Sequence, residues 1–369
     1  MKAILIIVLF LISNLGLCQS NFSKIDKYSK TVPDSITDYK EIAHYLTDNL
    51  ETDTEKVRAI YIWITHNIRY DMNRVKVVSY ESYHPNKIIK ESLSKRKGVC
   101  YHYAMLFSAM SEAAGLEMFS IFGYTKDSLN RVSASSHAWN AVKIDSSYYL
   151  IDATWSAGYV RNFEYFHKFR DYYFLIPPKQ FIKTHIPFDP MWQFIDNPIS
   201  HKDFKHNNFS KLDSIGTFSF VDSIRQYQRQ DELSKLENYK QRIIVNGIEN
   251  KIIKAEITLL ESKIKEQKEI NEYNRVVNTL NNGIETYNIY INYRNEDFKK
   301  PKLHYDQAKE LIEVAYQNIC TAKEKFNALS PTQWRLKLLV SNSIRETDKL
   351  ISALENEKKF IDKYLKNTP

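Results

Sequence analysis

Apolar residues recur at helical spacing through the first hundred positions. Ile42, Ala43, Leu46 and Leu50 predict a first helix. The stretch ETDTEKVRAIYIWITHNIRYD, residues 51–71, predicts a second. Thr52 or Asp53 caps it, and Val57, Ile60, Tyr61, Ile64 and Ile68 mark one buried face. Residues 21–36 are polar, hold Pro33 and read as a leader. Residues 72–86 look irregular, and a short helix is expected over 86–93. A stronger helix runs from about Cys100 to Ala114, with Gly115 as its C-terminal stop.

The period then changes. EMFSIFGYTK, HAWNAVKI and SYYLIDATW are rich in aromatic and β-branched residues at strand lengths. Asp145-Ser146-Ser147 reads as a turn joining the last two into an antiparallel hairpin. DYYFLI is a further short-strand candidate before Pro177-Pro178.

Past about residue 200 the pattern is helical again. Ile270, Tyr273, Val277, Leu280, Ile284, Tyr287 and Ile291 alternate at three and four. Ala308, Ile312, Ala315, Ile319, Ala322, Phe326 and Leu329 do the same, as do Val340, Ile344, Thr347, Ile351 and Leu354. Such spacing keeps one apolar seam toward partner helices. Pro301 separates the first two segments. Ser330-Pro331-Thr332-Gln333 separates the next two and reads as a capping box with proline at the first helical position. Asn282-Gly283 reads as a loose point within a helix. The expectation is an all-helical bundle of helices ~25–35 residues long, ~40–50 Å at 1.5 Å per residue. A dimerising coiled coil is the competing picture.

The N-terminus differs from both halves. MKAILIIVLFLISNLGLCQS has Lys2, an apolar stretch from Ala3 to about Ile12, then small and polar residues, the layout of a secretory signal peptide. The apolar core is short for a membrane span, which needs ~20 residues. An uncleaved anchor is the alternative. Leu17 stands before Cys18 where a lipoprotein signal wants a small residue. The organisation expected is a signal peptide at 1–20, a leader at 21–36, a mixed α+β domain at 37–200 and a helical domain at 201–369. The protein is expected to be exported, to the periplasm, cell envelope or outside.

Composition narrows the function. The chain has 369 residues, enough for two domains, and only 8 glycines, which argues against an all-β protein. A net charge of +8 with interspersed signs and no like-charge run argues against nucleic-acid binding. The 25 tyrosines read as core, hairpin and helix-seam residues. No calcium-loop or zinc spacing is evident, so no cofactor or metal is expected.

Beyond Cys18 the chain has two cysteines, Cys100 and Cys320. An exported chain allows a disulfide between them, but they lie in stretches of different character, and two separate thiols are expected. Cys320 reads as an inert packed thiol. Cys100 follows Gly98-Val99 at a helix start, where unpaired N–H groups and the positive end of the dipole favour thiolate. A cysteine beside Val99 also reads as a small buried hydrophobe. His137 opens one strand and Asp152 lies near the end of the next, in the chain order Cys, His, Asp. A two-residue turn near Ser146 puts His137 and Asp152 together, whereas a three-residue turn needs a bulge. If they meet, Asp152 orients the imidazole and His137 takes the thiol proton.

The segments GVCYHYAMLFSAMSEAAGL, SIFGYTKD, SHAWNAVKIDSSYYLIDATWSAGY and FIKTHIPFDPMWQF resemble the transglutaminase-like superfamily, in particular the kyphoscoliosis-peptidase and cytokinesis-associated group with its bacterial relatives. The resemblance covers roughly residues 40–196. It implies a papain-like α+β core with an antiparallel sheet, and Cys100, His137 and Asp152 as catalytic residues. It implies substrate-binding or cleft-lining places for Trp63, His102, Trp139 and Trp155, and structural or cleft-lining roles for His185 and Trp192. Relatives usually carry a small residue where this chain has His102, whose ring could narrow the cleft. The implied chemistry is acyl transfer from protein or peptide amides through a thioester, as peptidase, deamidase or transglutaminase. Backbone N–H groups, with Trp63 as a further candidate, would steady the oxyanion. The alternative is a non-catalytic scaffold that docks a protein partner or self-associates through its helical part.

Overall fold

The computed structural model describes residues 22–75, 85–214, 216–296, 298 and 305–366. The expected signal peptide, Cys18, Pro301 and most of the irregular stretch at 72–86 lie outside the described residues. The chain forms two compact units. One holds the described residues up to Arg229 with Gln241–Glu256, and the other Gln230–Lys240 with the described residues from Ile257 on. The segment just past residue 200 therefore packs with the first unit.

The stretch expected as a leader opens the first unit with a helical segment over residues 22–28, whose Ile25 lies in the core, and two further helices follow. Asp38 caps α1 (Tyr39–Thr47) by accepting from the N–H groups of Lys40 and Glu41. Thr52 and Glu55 form a capping box at the start of α2 (Asp53–Asn67). The expected single buried face of α2 is wider than the spacing implied: every residue from Val57 to Thr65 is buried. Arg58 tolerates this because Asp26 grips its guanidinium at 2.7 and 2.8 Å and Asp171 adds a third contact. The same core takes in Trp63, Tyr103, Phe107 and Met110, and each buried large side chain contributes about 1.5–3 kcal/mol of transfer free energy.

A short strand β1 (Arg69–Tyr70) follows α2, and α3 (Pro85–Lys95) leads into β2 (Lys97–Gly98). These two strands pair in parallel, Tyr70 opposite Gly98. Next comes α4 (Cys100–Ala113), ended as expected by Gly115 at φ +77°, with Leu116 N–H closing back on the Ser111 carbonyl. The strands β3 (Met118–Thr125), β4 (His137–Ile144), β5 (Ser147–Ile151) and β8 (His185–Pro187) form one antiparallel sheet in the order β5-β4-β3-β8. Asn140, in the middle of β4, locks α4 onto this sheet. Its Nδ2 donates to the Ala104 carbonyl at 2.9 Å and to Ser108 Oγ at 3.0 Å.

Two departures from the sequence pattern are local. DYYFLI contributes a 3-10 turn at Asp171–Tyr173 and a single bridge, Leu150 to Ile176, in place of a strand. Leu175 is left-handed, and two prolines follow, so no ladder can extend there. After the short helix α5 (Ala153–Ala157), β6 (Gly158–Arg161) and β7 (Glu164–His167) make a hairpin that the pattern did not signal. Asn162 and Phe163 both have positive φ in its two-residue turn.

In the second unit, the last part of α6 (Lys251–Asn295) packs with α7 (Tyr305–Ala328) and α8 (Trp334–Lys366). Tyr290 and Tyr293 meet Ala308, Ile312, Leu354 and Ile361 in one cluster, and Val276 meets Phe326 and Val340 in another. Successive helices therefore run antiparallel, as the seams predicted, and the first and third run parallel. The helices have 45, 24 and 33 residues, a wider spread than expected. Gly283 lies inside α6, where a Cβ would come 2.6 Å from Ile319 Cγ1, so it marks a close helix approach. The expected cap at Ser330-Pro331 is corrected. The last helix begins at Trp334, because Thr332 gives its N–H and hydroxyl to Glu269, each at 2.9 Å. Among the described residues Cys100 and Cys320 are both free thiols.

Candidate active site

The hairpin register decides whether His137 and Asp152 meet. Ile144 pairs with Ser147, so the turn has two residues, with Asp145 at φ +55°. Asn140 then pairs with Ile151. Asp152 falls opposite Trp139, two positions from His137 on the same face. His137 Nε2 and Asp152 Oδ2 are 2.7 Å apart, and the Asp152 side chain is fully buried.

Three groups hold that carboxylate. Oδ1 accepts from the Trp155 N–H at 2.9 Å, the N-cap bond of α5. Oδ2 accepts from His137 and also from His185 Nε2 at 3.2 Å. His185 Nδ1 lies 2.8 Å from Thr184 Oγ1, whose hydroxyl can serve it as donor while Nε2 faces the carboxylate. Phe181 stacks on His185 at 4.0 Å between centroids, and Trp155 (4.6 Å) and Trp139 (5.4 Å) close the other sides.

The protons divide unequally. Burial lowers the His137 pKa, but the charge and hydrogen bond of Asp152, joined by those of Cys100, more than offset it and push it up to about 10. Burial takes His185 down to about 4, because Asp152 offers it less and the His137 charge opposes a second cation. Asp152 is pushed up by burial, yet the two imidazoles hold it well below the usual carboxylate range. The site therefore carries one carboxylate, one imidazolium and one neutral imidazole at pH 7. The two ring nitrogens and the carboxylate lie within 4.8 Å of one another, a grouping that also suits a cation. One carboxylate oxygen, Asp152 Oδ2, lies within hydrogen-bond distance of both ring nitrogens.

Cys100 is the first residue of α4 and is partly buried. It lies close enough to His137 to help raise the pKa of that imidazole. Trp155 is partly exposed beside His137, ring centroids 5.6 Å apart.

Three expected cleft residues are corrected. Trp63 is 1 % exposed in the core, beneath the Arg96 guanidinium, and cannot reach an oxyanion. Trp139 is 2 % exposed and packs on Phe181 and His185. His102 is wholly buried, and its Nδ1 accepts from the Val99 N–H at 3.3 Å. Its bulk is taken up by Gly98, where a Cβ would sit 2.3 Å from His102 Cβ, so the ring does not narrow the cleft. Trp192 packs on Phe119 and Tyr227, a structural role. Asn140 was not anticipated. Its signal was a lone amide inside the apolar strand HAWNAVKI, where a buried polar group needs partners.

A family model described as the transglutaminase-like superfamily matches residues 40–153. Those residues are a transglutaminase-like domain. Over 207 residues the chain is 31 % identical to the human (Homo sapiens) kyphoscoliosis peptidase, covering 54 % of this chain and 31 % of that one. It is 24 % identical over 192 residues to hillarin of Drosophila melanogaster, covering 46 % of this chain and 22 % of the relative. Cytokinesis protein 3 of Schizosaccharomyces pombe is 29 % identical over 186 residues, with 47 % and 20 % covered. The chain thus spans less than a third of the length of each of these relatives. The transglutaminase-like domain carries Cys100, His137 and Asp152 within its matched residues.

Proposed function

We propose that this chain is an exported cysteine-dependent acyl-transfer enzyme acting on protein or peptide amides, with Cys100, His137 and Asp152 as its catalytic residues. The buried His137–Asp152 bond at 2.7 Å is the observation that carries this reading. Cys100 attacks as thiolate, with the His137 imidazolium as counter-charge. Asp152 occupies Nε2 of His137, so Nδ1 is the nitrogen left to serve the thiol and the leaving amine. The attack forms a C–S bond and an oxyanion. Collapse breaks the C–N bond, and His137 gives its Nδ1 proton to the departing ammonia or amine. The thioester then meets water, which makes a peptidase or deamidase, or a second amine, which makes a cross-link. Export rests on the charged, then apolar, then polar layout of residues 1–20.

Iodoacetamide labelling at neutral pH tests the reading. Wild-type Cys100 should label fast and selectively, and His137→Ala should slow it about 100-fold, within the range of a positioned acid–base group. Equal, slow labelling of both proteins would favour a non-catalytic scaffold.

A further inference from the structure

Trp63 is buried in the core, so the side chain upstream of the thiol that can serve an oxyanion must lie elsewhere. Strand β1 supplies one. Tyr70 pairs with Gly98, two residues before Cys100, and the Asp71 N–H donates to the Gly98 carbonyl at 3.0 Å. These bonds tie Tyr70 to the segment that carries the nucleophile. Its ring rests against Tyr165, centroids 6.1 Å apart.

The neighbouring phenols are committed. Tyr103 donates to the Ile68 carbonyl at 2.6 Å, Tyr165 to the Ala157 carbonyl at 3.0 Å and Tyr61 to the Arg170 carbonyl at 3.3 Å. The Tyr70 hydroxyl takes no hydrogen-bond partner among the described residues, and the residue is only half-buried. A phenol in that position is an available donor. Burial, and next the charges of Cys100 and Asp152, push its pKa above the ordinary tyrosine range, so the proton stays on oxygen.

We propose that Tyr70 donates a hydrogen bond to the oxyanion formed when Cys100 attacks an acyl carbonyl. This assignment rests on the acyl-transfer reading above. As the C–S bond forms, the carbonyl π pair moves to oxygen, and the Tyr70 O–H donates to it without giving up its proton. The Cys100 N–H, at the first position of α4 and without an intrahelical acceptor, is the second donor. On collapse the C=O bond re-forms, and the proton for the leaving group comes from His137.

Two probes separate this role from packing. Acylation by p-nitrophenyl acetate passes through an oxyanion, and alkylation by iodoacetamide does not. Tyr70→Phe keeps the ring against Tyr165 and removes only the hydroxyl. Cys100-dependent release of p-nitrophenolate should fall about 100-fold in the acylation rate constant with KM unchanged. Iodoacetamide should label Cys100 of the variant at the wild-type rate. The assignment is overturned by acylation at the wild-type rate, by equal loss of both reactions, or by wild-type protein that releases no nitrophenolate through Cys100. Failure of the underlying function shows separately, as labelling that His137→Ala leaves unchanged.

Discussion

Asp152 carries one negative charge, and two imidazoles donate to the same oxygen of it. A buried carboxylate supports one imidazolium readily and two poorly, since the second brings like-charge repulsion and its own desolvation. His137 wins because the influence of Cys100 adds to that of Asp152, while His185 is sealed among Phe181, Trp139 and Trp155. His137 therefore keeps its proton until pH rises through about 10. Asp152→Asn removes the charge that raises His137. The alkaline limb of Cys100-dependent p-nitrophenyl acetate hydrolysis should then move down by about 1–3 pH units. An unmoved limb would mean that Asp152 does not set the His137 charge. The three residues were legible in the chain because each sits at an element's start or end. His185 was legible only as part of a family-like motif, since nothing in its spacing points to Asp152.

Between elements, the site depends on how α4 meets the strands. Gly98 leaves room for the His102 ring, and that ring caps the Val99 N–H just ahead of Cys100. Gly98→Ala would place a Cβ 2.3 Å from His102 Cβ, and the obstacle is the root of the side chain, so neither part moves cheaply. The expected cost is about 1–3 kcal/mol of stability, typical of overpacking, read by urea denaturation. A companion His102→Ala change should recover most of it. Unaltered stability in the single variant would show that the β2–α4 junction is slack. Helix starts and stops were readable here because caps are local: Thr52 with Glu55, and Gly115. The start of the last helix was not, because Glu269, far away in sequence, claims Thr332.

Across the first unit, His102, His185 and His201 are all buried and all lowered to about 4, in each case mainly by burial. The unfolded chain takes up their protons near pH 6.5 and the folded one resists until about 4, so stability is lost as pH falls between those values. His137 has the opposite sign. Its contribution is complete below 6.5 and fades as pH climbs through about 10. Asp152 adds a loss only below the ordinary aspartate range, near 3.8. Calorimetry should therefore show the melting temperature of the first unit falling from pH 6.5 to 4, before most carboxylates titrate. A melting temperature constant over that interval would contradict neutral burial of the three rings.

The order of residues along this chain was enough to establish a mixed α+β half, a helical half, the two-residue hairpin as one of two options, and three candidate side chains. Those conclusions come from periodicity, capping and turn chemistry, which act over a few residues. Only the tertiary structure decided which option the turn took, that Trp63, His102 and Trp139 are enclosed, that Asn140 and His185 hold the site together, and that Tyr70 pairs with Gly98, two residues before Cys100. These follow from contacts between residues far apart in the chain, where burial and shared hydrogen-bond acceptors set the outcome and no local pattern encodes them.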